Sequence, residues 1–199
     1  MTLTPIWPYT FERVADAPSS VRVTKWEAQV ARTALISAAV GTSSIALTNV
    51  EHADEVVDVL PGPLEPGWRI ETSPYSVVWP EGFTIDSPPA GDNSPFHLWG
   101  PDDALIYIQG PMSPERIPAP AQFTGPGQRL IDHRQDPAFE VVELAYQHDE
   151  AEWRQSHHLV VLNETLSLVV TAQCRATQAA HVRLAAESMA RSVMSRAAA

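Results

Sequence analysis

The chain of 199 residues holds one cysteine, Cys174, which excludes both an intramolecular disulfide and a cysteine-based zinc cluster. A lone thiol sits most easily in a reducing compartment, so the expectation is a cytoplasmic protein. Lysine is nearly missing as well. Of 13 basic residues only Lys25 is a lysine, which with abundant alanine and 18 prolines suggests a bacterial genome rich in G and C. Against 24 acidic residues the formal net charge is −11, and a field of that sign argues against nucleic acid or anionic lipid as a direct partner.

Long apolar runs are lacking too. A membrane-spanning helix needs about 20 predominantly apolar residues. The longest uncharged stretch, Thr33 to Val50, is rich in serine, threonine and glycine. The opening "MTLTPIWPYTFERVADAPSS" has no basic region followed by an apolar run, so it does not read as a signal peptide. Chemical motifs are sparse: G-x-S-x-G, the phosphate-loop patterns and H-E-x-x-H are all missing. The expectation is a protein without cofactor or metal that is not an enzyme.

What is present describes a folded globule, with 44% hydrophobic and 19% charged residues. Two parts are expected: a tail with a helical lead-in over 1–60, and an α+β domain over 61–199. Residues 1–20 are broken by proline and read as an extended arm. In "TKWEAQVARTALISAAVG", Thr24 and Glu27 have capping-box spacing, Trp26, Val30 and Ala34 share a helical face, and Gly41 suits a C-terminal cap. That spacing predicts a helix over about 25–40. "SSIALTNV" reads as a short strand, and "EHADEVVDVL" as a short helix stopped by Pro61-Gly62.

From Pro61 to Gly127, proline and glycine recur between brief β-prone runs. These are "YSVVW" (75–79), "GFTI" (82–85), "PFHLW" (95–99) and "ALIYIQ" (104–109), with "GPDD" (100–103) as a hairpin turn. Residues 110–127 form a connection too rich in proline for a helix. The runs "FEVVELAY", "EWRQSHHLVVL" and "TLSLVVTAQC" predict a three-stranded meander over 139–174. A helix over 177–198 follows, with Val182, Ala185, Ala186, Met189 and Val193 along one stripe and Arg191 and Arg196 near its end.

A two-residue turn at Asn163-Glu164 would pair His157 with Val170 and Trp153 with Cys174. Strand alternation then puts Leu159, His157, Gln155 and Trp153 on one apolar face, joined by Val142, Leu144 and Tyr146 and covered by the closing helix. His158 would point to solvent. A slip of one residue would turn the two histidines over.

Adjacent strand histidines diverge, so His157 and His158 are poorly placed to share a metal, and a structural role is expected. The histidines in "EHADE", "DHRQD" and "QHDE" lie beside acids that could support acid–base work. Each also sits at a helix start or turn, where acids serve capping and solvation. Trp68, Trp79 and Trp99 lie around the proline-rich β region with His97, which is flanked by Phe96 and Trp99. These four are the candidate anchors for a partner, with core packing as the competing role. Cys174 ends a strand on its apolar side and reads as an inert, packed thiol.

The order "YSVVWPEGFTI", "DALIYIQG", the meander from "FEVVELAY" to "TAQC", and a closing helix with "AESMARSV" resembles the PsbP-like superfamily, which includes PsbP, Mog and DcrB-type proteins. The resemblance covers about residues 62–196 and is one of pattern. It implies an antiparallel sheet flanked by helices, and a binding, adaptor or chaperone-like role with no catalytic residues to transfer. The expected partner is another protein, either basic or offering an exposed apolar segment. An acidic immunity protein that neutralises a basic toxin is the alternative. A small hydrolase using a metal with histidine and carboxylate groups is the second alternative.

Overall fold

The computed structural model describes residues 21–27, 30–38, 45–46, 67–72, 74–86 and 94–195, with side chains from residue 69 onward. The arm expected over 1–20 and the short helix expected over 51–60 lie outside them. The described residues are largely antiparallel sheet, with one α-helix near the C-terminus.

The expected helix over 25–40 is instead a hairpin. β1 (Val21–Glu27) and β2 (Val30–Ala38) pair antiparallel, from Val21 opposite Ala38 to Glu27 opposite Val30. β1 also pairs with β4 (Gly67–Glu71), so strands from both sides of residue 60 share a sheet. The capping-box spacing is a local signal only. The β-branched Val21, Val23, Val30, Thr33 and Ile36 suit a pleated surface once partner strands are available. β5 (Tyr75–Val78) and β13 (Met194–Ser195) complete a five-stranded sheet in the order β13-β5-β4-β1-β2.

The larger sheet has eight strands. In spatial order they are β3 (Ile45–Ala46), β6 (Thr84–Asp86), β7 (His97–Trp99), β8 (Leu105–Met112), β12 (Ser167–Arg175), β11 (Ala151–Val161), β10 (Glu140–His148) and β9 (Arg129–Gln135). The strands expected around 45, 82–85, 95–99 and 104–109 are all among them. Between β7 and β8 the "GPDD" stretch forms a 3-10 turn, with Asp102 and Asp103 in the left-handed region and Gly100 N–H donating to Ala104 O at 2.8 Å. Gly100 is needed there, because a Cβ would stand 2.6 Å from Phe83 Cε1. The β10–β11 turn uses Asp149 and Glu150, both at positive φ, as a two-residue hairpin connection requires.

The β11–β12 hairpin departs from expectation by one residue. Its loop is Leu162–Leu166 rather than the dipeptide Asn163-Glu164, and Asn163 Oδ1 accepts from Thr165 N at 2.9 Å and Leu166 N at 3.0 Å. Leu162 N donates to Leu166 O at 2.9 Å, closing the turn. Val161 therefore faces Ser167, His158 faces Val170 and His157 faces Thr171. β11 and β10 are therefore turned over relative to β12, so that Val160, His158 and Val141, rather than Leu159, His157 and Val142, share a face with Leu168, Val170, Ala172 and Cys174.

The helix α1 (Ala179–Arg191) covers the face bearing Val141, Val160, Leu168, Val170, Ala172 and Cys174, and buries Val182, Ala186, Met189 and Ala190 against it. It stops seven residues short of the expected end at 198, because the chain turns into β13 to pair with β5. Ser192 fastens that exit: its Oγ donates to Met189 O at 2.8 Å and accepts from Val78 N at 2.8 Å, and its carbonyl accepts from Arg69. The opposite face is also closed where Phe123, from the 3-10 turn Pro120–Phe123, packs on Val142 and Leu144.

Two substitutions separate the faces of α1. Met189→Ala, in the core, should cost about 2–5 kcal/mol by lost burial and the cavity left behind. Leu184→Ala, on the solvent side at 63% exposure, should stay within about 0.5 kcal/mol of the parent. Urea unfolding curves measure both, and equal midpoints would refute this placement of the helix.

Candidate functional site

His157 and His158 are both buried, on opposite faces of β11. His158 lies on the α1 side, its Nδ1 3.3 Å from Val170 O and its ring edge-on to Phe139 at 5.3 Å. His157 lies on the other side, its Nδ1 3.0 Å from Thr171 Oγ1 and its ring 4.9 Å from that of Phe123. Burial disfavours the charged form of each. It lowers His158 to about 4, and together with the neighbouring His158 it holds His157 well below the ordinary imidazole value. The expectation that His157 faces the helix-covered core and His158 faces solvent is thus corrected. Neither is exposed, and the helix lies over His158.

Cross-strand register builds a polar seam on the His157 face. His97 faces Tyr107, Tyr107 faces Thr171, and Thr171 faces His157, so four buried side chains stand abreast on β7, β8, β12 and β11. In the next row Gln173 faces Gln155, whose Oε1 accepts from Gln128 Nε2 at 2.7 Å. Gln155 Nε2, Gln173 Oε1 and Trp153 Nε1 are buried without a hydrogen-bond partner. Buried groups of this kind are normally satisfied by ordered water or a hydrogen-bonding guest.

Of the candidate anchors with described side chains, Trp79 and His97 are buried and only Trp99 is partly exposed. Trp79 is a core residue, 3% exposed, and its indole N–H donates to Phe83 O at 2.9 Å, so it is no surface anchor. His97 is buried in the seam, 6.3 Å from the ring of Trp99, which is half-buried. Trp68 lies on β4 opposite Lys25, and its side chain is outside the described residues. Two-sided burial of the sheet explains why aromatic residues of this region go inward.

The histidine–acid pairs are scattered. His133 Nε2 is 2.6 Å from Glu140 Oε1, across strands on an exposed edge, and His148 Nε2 is 3.4 Å from Asp149 Oδ2 at a turn. His52 of "EHADE" is outside the described residues. Among the described residues no three His, Cys, Asp or Glu side chains gather in a metal-binding group.

The charged centre missed in the sequence lies beneath α1. Arg134 on β9 reaches Glu143 on β10 and Glu187 on α1, each at 2.7 Å, and Asp132 at 2.6 Å. Arg183, Glu187 and Arg191 repeat at helical spacing on α1, the one part of this network legible beforehand. Beside the network a cleft of about 290 Å³ opens between α1 and β9–β12, lined by Glu143, Arg154, Ser156, Cys174, Val182 and Arg183 among others. Burial pushes the Cys174 thiol up to about 12, so it offers no thiolate nucleophile at neutral pH.

No protein-family model matches the chain, and no curated protein matches it. Among solved structures it is similar to LpqN of Mycobacterium tuberculosis, described as involved in cell envelope biogenesis. The identity is 15% and the TM-score 0.42, with 62% of this chain and 84% of that one covered. At those values the likeness assigns neither a family nor an activity.

The buried histidines predict a pH dependence of stability. Their pKa is depressed on folding, so the unfolded chain binds more protons at mildly acidic pH. The stability is complete above about pH 6.5 and is lost as pH falls toward about 4. For His158 alone the loss is roughly 3 kcal/mol. Denaturant midpoints at pH 7 and pH 4.5 should diverge in the parent and less so in His158→Met, and parallel behaviour of the two would refute the assignment.

Proposed function

We propose that this chain is a non-enzymatic α+β protein of PsbP-like type that works in the bacterial cytoplasm by binding another protein, as an adaptor or chaperone. The meander followed by a closing helix is the support for the PsbP-like grouping. The observation that carries the binding role is the open edge of β9. Among the described residues β9 ends the eight-stranded sheet and pairs only with β10. An edge of this length can accept one more strand through main-chain hydrogen bonds.

The side chains of β9 leave that edge accessible. Arg129 is drawn to Glu152 at 3.3 Å, His133 to Glu140 and Arg134 to Glu143, all back onto the protein. These charges, of the kind that commonly guard an edge, are paired with carboxylates of the protein itself, while Leu130 stays 42% exposed. The partner that fits is an extended segment with an apolar residue to place beside Leu130. A basic toxin, with this chain as its immunity protein, is the second reading, favoured by the net charge of −11.

Affinity capture from the native organism followed by salt titration separates the two. Strand addition should survive about 0.5 M salt, where exposed charge pairs are largely screened. It should also weaken about tenfold in Leu130→Asp, a change worth roughly 1.4 kcal/mol. Binding abolished by salt but indifferent to Leu130→Asp would reject the edge and favour the immunity reading.

A further inference from the structure

We propose that the cleft beneath α1 binds a small organic monocarboxylate, with its apolar body between sheet and helix and its carboxylate on Arg154 and Arg183. The cleft exists because small residues meet there. Ala172, Ser156 and Cys174 face it from the sheet, and Ala179 and Ala180 from α1. A helix on a sheet ordinarily interlocks larger side chains to near-crystalline density, so a gap of about 290 Å³ is a departure. That volume approaches the lower end of small-molecule pockets, which run from roughly 300 to 1,000 Å³.

The charges around the cleft define the ligand. Glu143 is engaged by Arg134 at 2.7 Å, as is Glu187, which leaves Arg183 with only long contacts to those same carboxylates, 3.8 and 4.0 Å. Arg154 reaches Glu152 at 3.1 Å, but that oxygen is shared with Arg129 at 3.3 Å. A guanidinium carries five N–H donors in a fork that matches a carboxylate, and here most are uncommitted. Val182 and the alanines give the cleft an apolar wall, so a bare inorganic anion would leave that surface unused.

Octanoate is the probe, titrated calorimetrically into the full chain, with 1-octanol, octylamine and inorganic phosphate as comparisons. Octanoate should bind at least about tenfold more tightly than each of the three, the difference expected for a charge-assisted pair plus apolar burial. Arg183→Gln and Arg154→Gln should each weaken octanoate about tenfold, and Ala179→Leu should abolish binding by filling the cleft. Glu143→Gln should strengthen it by removing a like charge, an effect that a merely structural role would not produce. Equal affinity for octanol, or unchanged octanoate affinity in both arginine variants, overturns the proposal. Should Ala179→Leu fail to fold, the arginine and glutamate variants decide alone.

Discussion

The register of β11 on β12 is the constraint on which the rest of this structure depends. It is set by Asn163, whose side chain caps its own loop and lengthens it beyond a two-residue turn. Because strand side chains alternate, that one decision assigns every residue from Trp153 to Arg175 to a face. It sends His158 and Val160 under α1 beside Ala172 and Cys174, and gives His157 and Gln155 to the polar seam beside Thr171 and Gln173.

Both faces of the central strands are buried, and this explains the behaviour of the polar groups. On the α1 side, charges sit at the rim, where Arg134 ties β9, β10 and the helix together and Arg191 stands over Phe139 at 4.9 Å. On the other side the buried groups are uncharged amides, hydroxyls and imidazole, as expected where desolvating an ion would cost more than its contacts return. The histidine pair that stands out in the sequence serves this two-sided packing, with one neutral ring on each side.

Much of the fold was legible. Runs such as "ALIYIQ", "FEVVELAY" and "TLSLVVTAQC" are β-prone enough, and the helix stripe from Val182 to Met189 regular enough, that local pattern located them. β9 was missed because "RLIDHRQ" is charged and exposed, a strand only by virtue of pairing with β10. The β1–β2 hairpin was misread as a helix because capping-box and periodic spacings can arise by chance in an alanine-rich stretch. Of the candidate sites, little was legible. Trp79 and Trp153 mark the core rather than a surface, and the arginines and glutamates around the cleft come from four separate elements.

The sequence by itself determined the apolar periodicity, the turn residues, the lone inert thiol and the strong negative charge, because these depend on neighbours within a few positions. Only the tertiary structure decided the register, the face that α1 covers, where that helix ends, and the meeting of Arg134 with Glu143 and Glu187. Those outcomes turn on long-range pairing. A single loop hydrogen-bonding pattern at Asn163 shifts a strand by one residue, and alternation carries the shift across the whole sheet.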